Sequence, residues 1–459
     1  FDFQRDAAWA IINKLEKYNG CILADSVGLG KTFTALSVIK YYENRNKNVL
    51  VLCPKKLNDN WQTFKSNYLN NPLAKDRLRY DILYHTDLSR DKGYSNNLDL
   101  ARINWGNYDL VVIDESHNFR NGGEVNDNKE NRYLKLMNKV IRSGVKTKVL
   151  MLSATPVNNR FNDLKNQLAL AYEGDTSNID KQLSTEKPIN VIFKQAQTAF
   201  NKWTALPLEV RTTETLQNML DCDFFELLDS VTIARSRKHI ETFYDIDSIG
   251  KFPKRLPVIS VRPSLSKRED ILSYNEIYSY ISNLNLKIYM PSDYIFPSQM
   301  DKYFSEKGIA EGNNLTTQTA QKGRENGIRR LMSINLLKRL ESSVYSFKLT
   351  LEKVRGQIKS TLANIDNFRN YGYNADIEAT DLTNISDEFD FDDQNQDLFS
   401  IGNKQKINLA DMDYSSWEQD LQADLDILDE LIFEVEKITP DIDEKLQTLI
   451  KLIKDKIEK

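Results

Sequence analysis

The chain has 459 residues, 40% of them hydrophobic, and 62 Lys or Arg against 66 Asp or Glu, a formal net charge of −4. That length suggests two or three domains with ample core. Three scattered cysteines, Cys21, Cys53 and Cys222, argue against a disulfide framework or a zinc cluster. No signal peptide and no run of about eighteen apolar residues point to export or a membrane, so a cytoplasmic protein is expected. The chain opens on Phe1 without a methionine, as a fragment or a processed product would.

Asp2 can cap a helix whose apolar positions Ala8, Ile11, Ile12 and Leu15 recur at helical spacing, with Gln4 just before it. Cys21 to Ala24 reads as a short buried strand, and Cys21 to Thr32 as a phosphate-binding loop. Gly28 and Gly30 let successive backbone N–H groups turn into one concavity that suits an anion. Lys31 would set its ammonium against the β- and γ-phosphates and Thr32 would offer a hydroxyl to Mg²⁺. The helix that begins there would aim its dipole at the charge. Asp25 stands where the GxxxxGK[ST] pattern has its first glycine, so on this loop alone an ordinary glycine turn is the alternative.

Thr34 to Tyr42 continues as a helix, and Asn48 to Cys53 makes a second buried strand ending in Pro54-Lys55-Lys56. Two lysines at a strand end suit nucleic-acid phosphates, with a solvated loop as the alternative. Trp61 is expected to anchor the following helix in the core. Asp81 to His85 looks like another strand, followed by a polar loop from Asp87 to Asn97. Leu110 to Ile113 is a continuous apolar run of buried-strand type. It delivers Asp114-Glu115-Ser116-His117 at its carboxyl end, where parallel sheets place ligands. There Asp114 can hold Mg²⁺, usually through water, while Glu115 orients and deprotonates the attacking water. A solvated acidic turn is the alternative. Asn121 to Asn131 reads as a loop, Arg132 to Ile141 as a helix and Lys148 to Ser153 as a strand.

Asp25 through Thr32, Asp114 through His117 and Ser153-Ala154-Thr155-Pro156 resemble motifs I, II and III of superfamily-two helicase-like ATPases. Their surroundings resemble the Swi/Snf branch: Leu23-Ala24, Pro54 through Trp61, Asn118 through Asn121, and Val157 through Asn159. The resemblance implies an α/β, RecA-like P-loop domain, a parallel sheet flanked by helices, with ATP and Mg²⁺ as cofactors. It implies catalysis by Lys31, Asp114 and Glu115. Nucleotide binding falls to Gln4, Asp25, Ser26, Val27, Gly28, Leu29, Gly30, Lys31 and Thr32, with Gln4 reading the adenine edge and Thr32 and Asp114 holding the metal. Lys55 and Lys56 would grip a nucleic-acid backbone. Ser153 and Thr155 would bond to the motif II carboxylates or to His117, linking the γ-phosphate state to lobe movement, although His117 could equally be structural. Val231 through Lys238, with Arg235 and Arg237, resembles the arginine-rich segment that closes lobe one. Phe252 to Arg262 resembles the strand leading out of it, and Ser264 to Tyr278 the next helix.

Beyond that point Leu337, Leu340, Val344, Phe347, Leu351, Val354 and Ile358 alternate spacings of three and four, as do Leu421, Leu425, Leu428, Ile432 and Val435. Between the two runs, from Asn374 to Asn403, nine residues are acidic and none is basic. Taking nine from 66 leaves 57 acidic against 62 basic residues elsewhere, so basic surfaces remain available. The pattern predicts a long helix, a disordered or loosely held linker and a helix returning antiparallel, a coiled-coil-like insertion. The expected domains are lobe one at 1–260, the insertion at 261–440 with its linker at about 374–410, and the opening of lobe two at 441–459, where motifs IV to VI and an arginine finger are missing. The reading is the ATP-binding lobe of a bacterial, monomeric Swi/Snf-like ATPase. Its partner would be duplex DNA rather than RNA, for translocation or remodelling of protein–DNA complexes. This chain alone would bind ATP and hydrolyse it poorly. The alternatives are a strand-separating DNA or RNA helicase lobe and a nucleotide-binding scaffold without turnover, against which the intact Lys31, Asp114 and Glu115 count.

Overall fold

The computed structural model describes residues 1–120, 132–157, 160–245, 250, 252–253, 257–268, 270–304, 318–371, 376–378 and 406–458. It divides into two compact units, Phe1–Arg255 and Leu256–Lys459. The loop expected at 121–131 and the flanking Asn158 and Asn159 lie outside the described residues.

Helix α1 (Asp2–Tyr18) buries Ala8, Ile11, Ile12 and Leu15, at the spacing that predicts it. Asp2 is not its cap. It lies in the first turn and pairs with Arg5 at 3.1 Å, so Gln4 stands inside the helix rather than before it. Asn19, at a left-handed φ of 61°, turns the chain directly into strand β1 (Gly20–Leu23). Helix α2 (Lys31–Glu43), strand β2 (Val49–Cys53), helix α3 (Asn58–Lys65) and strand β3 (Asp81–Tyr84) follow. A small hairpin, β4 (Tyr94–Ser95) and β5 (Leu98–Asp99), occupies the polar loop. Strand β6 (Leu110–Asp114) carries motif II, and helix α4 (Arg132–Lys135) runs through a π-helical stretch, Leu136–Ile141, towards strand β7 (Lys148–Leu152). The unit continues with helices α5 (Phe161–Ala169), α6 (Ser177–Asp180), α7 (Ile189–Thr204), α8 (Thr213–Met219) and α9 (Cys222–Val231). The two-residue strand β8 (Thr232–Ile233) and helix α10 (Arg237–Phe243) come last.

Six of these strands form one sheet in the order β3-β2-β6-β7-β1-β8, every neighbouring pair parallel. Both faces are covered, which is why the strands are apolar at nearly every position. Ile22, Leu52, Val111, Ile113 and Met151 enter a core with Leu136, Leu168 and Phe193. Their neighbours Cys21, Leu23, Val51, Val112 and Leu150 enter the opposite core with Ile11, Leu36 and Ile39. That alternation is the two-residue period of a strand. Burial pushes the thiols of Cys21 and Cys53 up to about 12, so both are inert core residues. The register sets Leu23 beside Leu152 and Ile233, and Asp114 beside Leu152, so the carboxyl ends of β6, β7, β1 and β8 share one edge. This is the expected RecA-like α/β arrangement.

In the second unit, helix α11 (Tyr274–Asn283) opens on a Ser273–Glu276 capping box, and α12 (Met300–Tyr303) follows. The heptad seam predicted as one helix is two, α13 (Gln318–Ser342) and α14 (Val344–Tyr371). The break is Ser343, whose hydroxyl accepts the Ser346 N–H at 3.4 Å; serine caps helices better than it sits inside them. Helix α15 (Tyr414–Glu436) runs antiparallel to α14, with Lys348 paired to Glu436, Arg355 to Asp429 and Arg369 to Glu418. Phe347, Leu351, Val354 and Ile358 meet Leu421, Leu428, Ile432 and Val435 in a shared core. Buried Asp424 accepts the backbone N–H groups of Asn285 and Lys287 at 2.8 and 2.9 Å, fastening the loop after α11 to α15.

The start of the expected acidic linker is structured. Strand β9 (Asp376–Glu378) pairs antiparallel with β10 (Lys406–Asn408), while residues 379–405 lie outside the described residues. The strand expected near Phe252–Arg262 is not formed among the described residues there, and Val258 and Ile259 are exposed. Helix α16 (Glu444–Ile457), capped by Asp443, ends the chain. Among the described residues no helix is long and apolar enough to cross a membrane.

Candidate active site

The loop between β1 and α2 has the backbone that its glycines predict. Gly28 and Gly30 hold φ of 87° and 77°, in the left-handed region that a side chain resists. A Cβ on Gly30 would come within 2.4 Å of the Gln4 amide nitrogen. That nitrogen donates to the Leu29 carbonyl at 3.1 Å, so Gln4 is bound to the loop itself. Lys31 reaches back across the loop and donates to the Asp25 carbonyl at 2.8 Å. Val27 and Gly28 are exposed at the crown, Ser26 and Thr32 are half-buried, and the Asp25 carboxylate is turned inward onto Arg235.

At the end of β6, Asp114 is fixed by two donors. The Trp61 indole N–H reaches Oδ2 at 2.9 Å, and the Glu115 amide reaches Oδ1 at 3.0 Å. Burial pushes the Asp114 carboxyl above the ordinary range and the Glu115 charge adds to this; the Trp61 bond, the Glu115 amide and the Lys31 ammonium pull the other way. The register of β6, β7 and β1 sets the loop that follows β1 and the Asp114 end of β6 on the same edge of the sheet. Glu115 itself adopts φ 50° and ψ 51°, an uncommon backbone for a residue with a side chain. It is held beside His117, with Nδ1 3.3 Å from Oε2. The same Nδ1 lies 3.2 Å from the Ser153 hydroxyl, which also accepts the Thr155 N–H at 3.2 Å. Glu115, His117, Ser153 and Thr155 are thus brought together, while Lys31 opens the helix after β1 and Asp114 ends β6 at the same edge of the sheet. Lys55 and Lys56 lie exposed on a single 3₁₀ turn, Lys55–Leu57, after β2.

Three contributors escaped the sequence reading. Trp61 is a core anchor, as expected, yet its N–H also holds Asp114. Gln167 on α5 is fully buried, accepts the Ser116 hydroxyl at 2.9 Å and donates to the Pro156 carbonyl at 2.7 Å, bridging motifs II and III. His85 is buried against Phe119 at 4.9 Å between ring centres, and burial with the Arg132 charge pushes it down to about 3, so it is neutral. Only the alternation of burial around a strand end could have flagged it.

Mg²⁺ demands hard oxygen donors and takes few of them from the protein. Asp114 spends one N–H contact on each oxygen and keeps lone pairs on both, and Thr32 adds a hydroxyl, so these residues fit a hydrated cation. Among the described residues no cluster of three or more His, Cys, Asp or Glu offers a fully protein-made metal site.

Residues 3–98, which include the loop, match the SNF2-related domain. The chain is 32% identical over 168 residues to the uncharacterized ATP-dependent helicase YqhH of Bacillus subtilis, covering 35% of this chain and 28% of that protein. It is 27% identical over 204 residues to nucleoside triphosphatase I of Choristoneura biennis entomopoxvirus, covering 43% and 30%. Among solved structures it is similar to the Sulfolobus solfataricus SWI2/SNF2 ATPase core in complex with dsDNA, at 18% identity and a TM-score of 0.34, covering 62% of this chain and 52% of that one. The chain spans less than a third of the length of these two curated relatives. With its matched domain and its ordered motifs on one parallel sheet, the first unit is similar to the Swi/Snf branch of helicase-like ATPases.

Proposed function

We propose that this chain is the ATP-binding lobe of an ATPase that couples hydrolysis to translocation on duplex DNA or to the remodelling of protein–DNA complexes. The observation that carries this reading is the placing of a lysine-bearing anion loop and an Asp-Glu pair at one edge of a parallel sheet. The helicase and nucleoside triphosphatase relatives support nucleotide hydrolysis.

Thr32 and Asp114 would hold a Mg²⁺ ion arriving with ATP, and that ion would supply neutralisation of phosphate charge. The chain's own residues do the rest. Lys31 exchanges the Asp25 carbonyl for phosphate oxygens, and the loop N–H groups cradle the anion. Gln4, its nitrogen held by Leu29, presents its amide oxygen to the amino group of an adenine. Glu115, oriented by His117, accepts the proton of the attacking water. The His117–Ser153 contact passes the state of that site to the segment after β7. Exposed Lys55 and Lys56 suit nucleic-acid phosphates.

Arg235 is committed to Asp25, and Arg237 donates to the Val27 carbonyl at 3.3 Å. An arginine finger contributes about 10³- to 10⁵-fold in turnover. A second lobe would supply it, and this chain alone binds ATP and turns it over slowly. The test is steady-state hydrolysis with Mg²⁺, alone and with duplex DNA or RNA, beside nucleotide affinity and a Glu115→Gln control. Tight binding with little turnover is expected. Brisk turnover abolished by Glu115→Gln would show that an arginine within this chain completes the site, and stimulation by RNA over duplex DNA would favour a strand-separating helicase.

A further inference from the structure

We propose that Arg235 is a positioning residue for the nucleotide: it holds the phosphate loop in its binding shape through Asp25, a proposal that rests on the reading of that loop as the nucleotide site. Asp25 takes the place where the loop pattern has a glycine, and its carboxylate has to go somewhere. It goes inward, to 1% exposure, where an unpaired charge could not stay. Arg235, itself 8% exposed, meets it with the planar fork that matches a carboxylate. The Arg235 backbone N–H and Nε donate to Oδ1 at 3.0 and 3.1 Å, and Nη2 donates to Oδ2 at 2.5 Å. The bond is returned by the backbone, for the Arg235 carbonyl accepts the Ser26 N–H at 2.9 Å.

The third arm of the guanidinium points elsewhere. Nη1 donates to the Phe3 carbonyl at 2.5 Å, and the guanidinium carbon sits 5.3 Å from the centre of the Phe3 ring. Phe3 precedes Gln4, whose amide is bonded to Leu29 at the other end of the loop. One side chain therefore joins the first turn of α1, the opening of the phosphate loop and the segment after β8. Two consequences follow for binding. The Asp25 carbonyl stays turned toward Lys31, parking that ammonium over the loop. The Ser26 N–H is spent on Arg235, so the N–H cradle for phosphate starts at Val27. Lysine carries the same charge but has no fork and cannot serve Asp25 and Phe3 together.

The experiment measures affinity for a fluorescent ATP analogue with Mg²⁺, thermal melting, and amide exchange with and without the analogue, all on the full 459-residue chain. Arg235→Lys is expected to weaken binding on the order of ten- to a hundredfold. In the unmodified chain the analogue slows exchange in the loop and at residues 233–237 together; in Arg235→Lys the slowing is confined to the loop, a difference that a purely structural role would not produce. If Arg235→Lys does not fold, Asp25→Asn with Arg235→Gln, which removes both buried charges, carries the same comparison. Unweakened affinity in whichever of these variants folds overturns the proposal. Lys31→Ala separates this from the underlying reading: if it binds the analogue normally, the loop is not the nucleotide site at all.

Discussion

Trp61→Phe isolates a contact through which the hydrophobic core reaches Asp114, a carboxylate of the proposed nucleotide site. Trp61 is fully buried and its N–H donates to Asp114 at 2.9 Å. Phenylalanine keeps much of the packing and removes the donor. A hydrogen bond to a charged group is worth about 1.5–3 kcal/mol, and the lost ring volume costs on the order of 1–2 kcal/mol at any pH. The two parts separate by titration. Burial holds the Asp114 carboxyl above its unfolded value, so its contribution to stability is fully present below the unfolded pKa and is lost as pH rises through the folded one. Removing a donor that favours the ionised form raises the folded value further and deepens that loss. Urea denaturation of both chains from acid to neutral pH should therefore show a small difference at the acid end and one larger by about 1.5–3 kcal/mol at neutral pH. A difference that stays constant with pH would refute the claim that the indole holds Asp114 in its charged form.

Gln167→Leu should destabilise the first unit by about 1–3 kcal/mol for each of the two partners left unpaired, Ser116 and Pro156; a loss under about 0.5 kcal/mol in denaturation would show that the bridge between motifs II and III carries no energy. Lys31→Ala should abolish binding of an ATP analogue while leaving the melting temperature close to that of the parent, since among the described residues the hydrogen bond this side chain gives up is the one to the Asp25 carbonyl. Joining Glu378 to Lys406 through a short glycine-rich turn should leave thermal unfolding cooperative, because the two strands already pair antiparallel at those ends; a large fall in melting temperature would mean that residues 379–405 pack against the second unit.

What could be read from the sequence was chemistry that is local. Gly28, Gly30 and Lys31 lie within four residues, and Asp114 and Glu115 are adjacent at the end of an apolar run, so their meaning survives without knowledge of the fold. The heptad runs around Phe347 and Leu428 were legible for the same reason: a seam repeats along a single helix. Smaller choices were less so. Asp2 could cap or pair, and the nearby Arg5 decided for pairing. Ser343 could continue a helix or cap one, and the serine hydroxyl took the free N–H of Ser346.

The contacts that shape the site are the ones with no local signature. Asp25 and Arg235 are 210 residues apart, and the strand that brings them together, β8, is two residues long. Its register is fixed by pairing with Ile22 and Leu23, residues already committed to the sheet by β7. Once Thr232 and Ile233 have paired there, the next residues must leave the sheet beside the phosphate loop, and an arginine two positions on is delivered to the loop's first carboxylate. Asp25 looked like a defect in a glycine pattern because the pattern was read along the chain. Seen across the sheet, it is the acceptor for a guanidinium that also holds the turn bearing Gln4. On the proposed reading of the loop, a carboxylate in place of that glycine lets the segment closing the sheet act on it, since glycine would leave the guanidinium fork without the carboxylate it now holds.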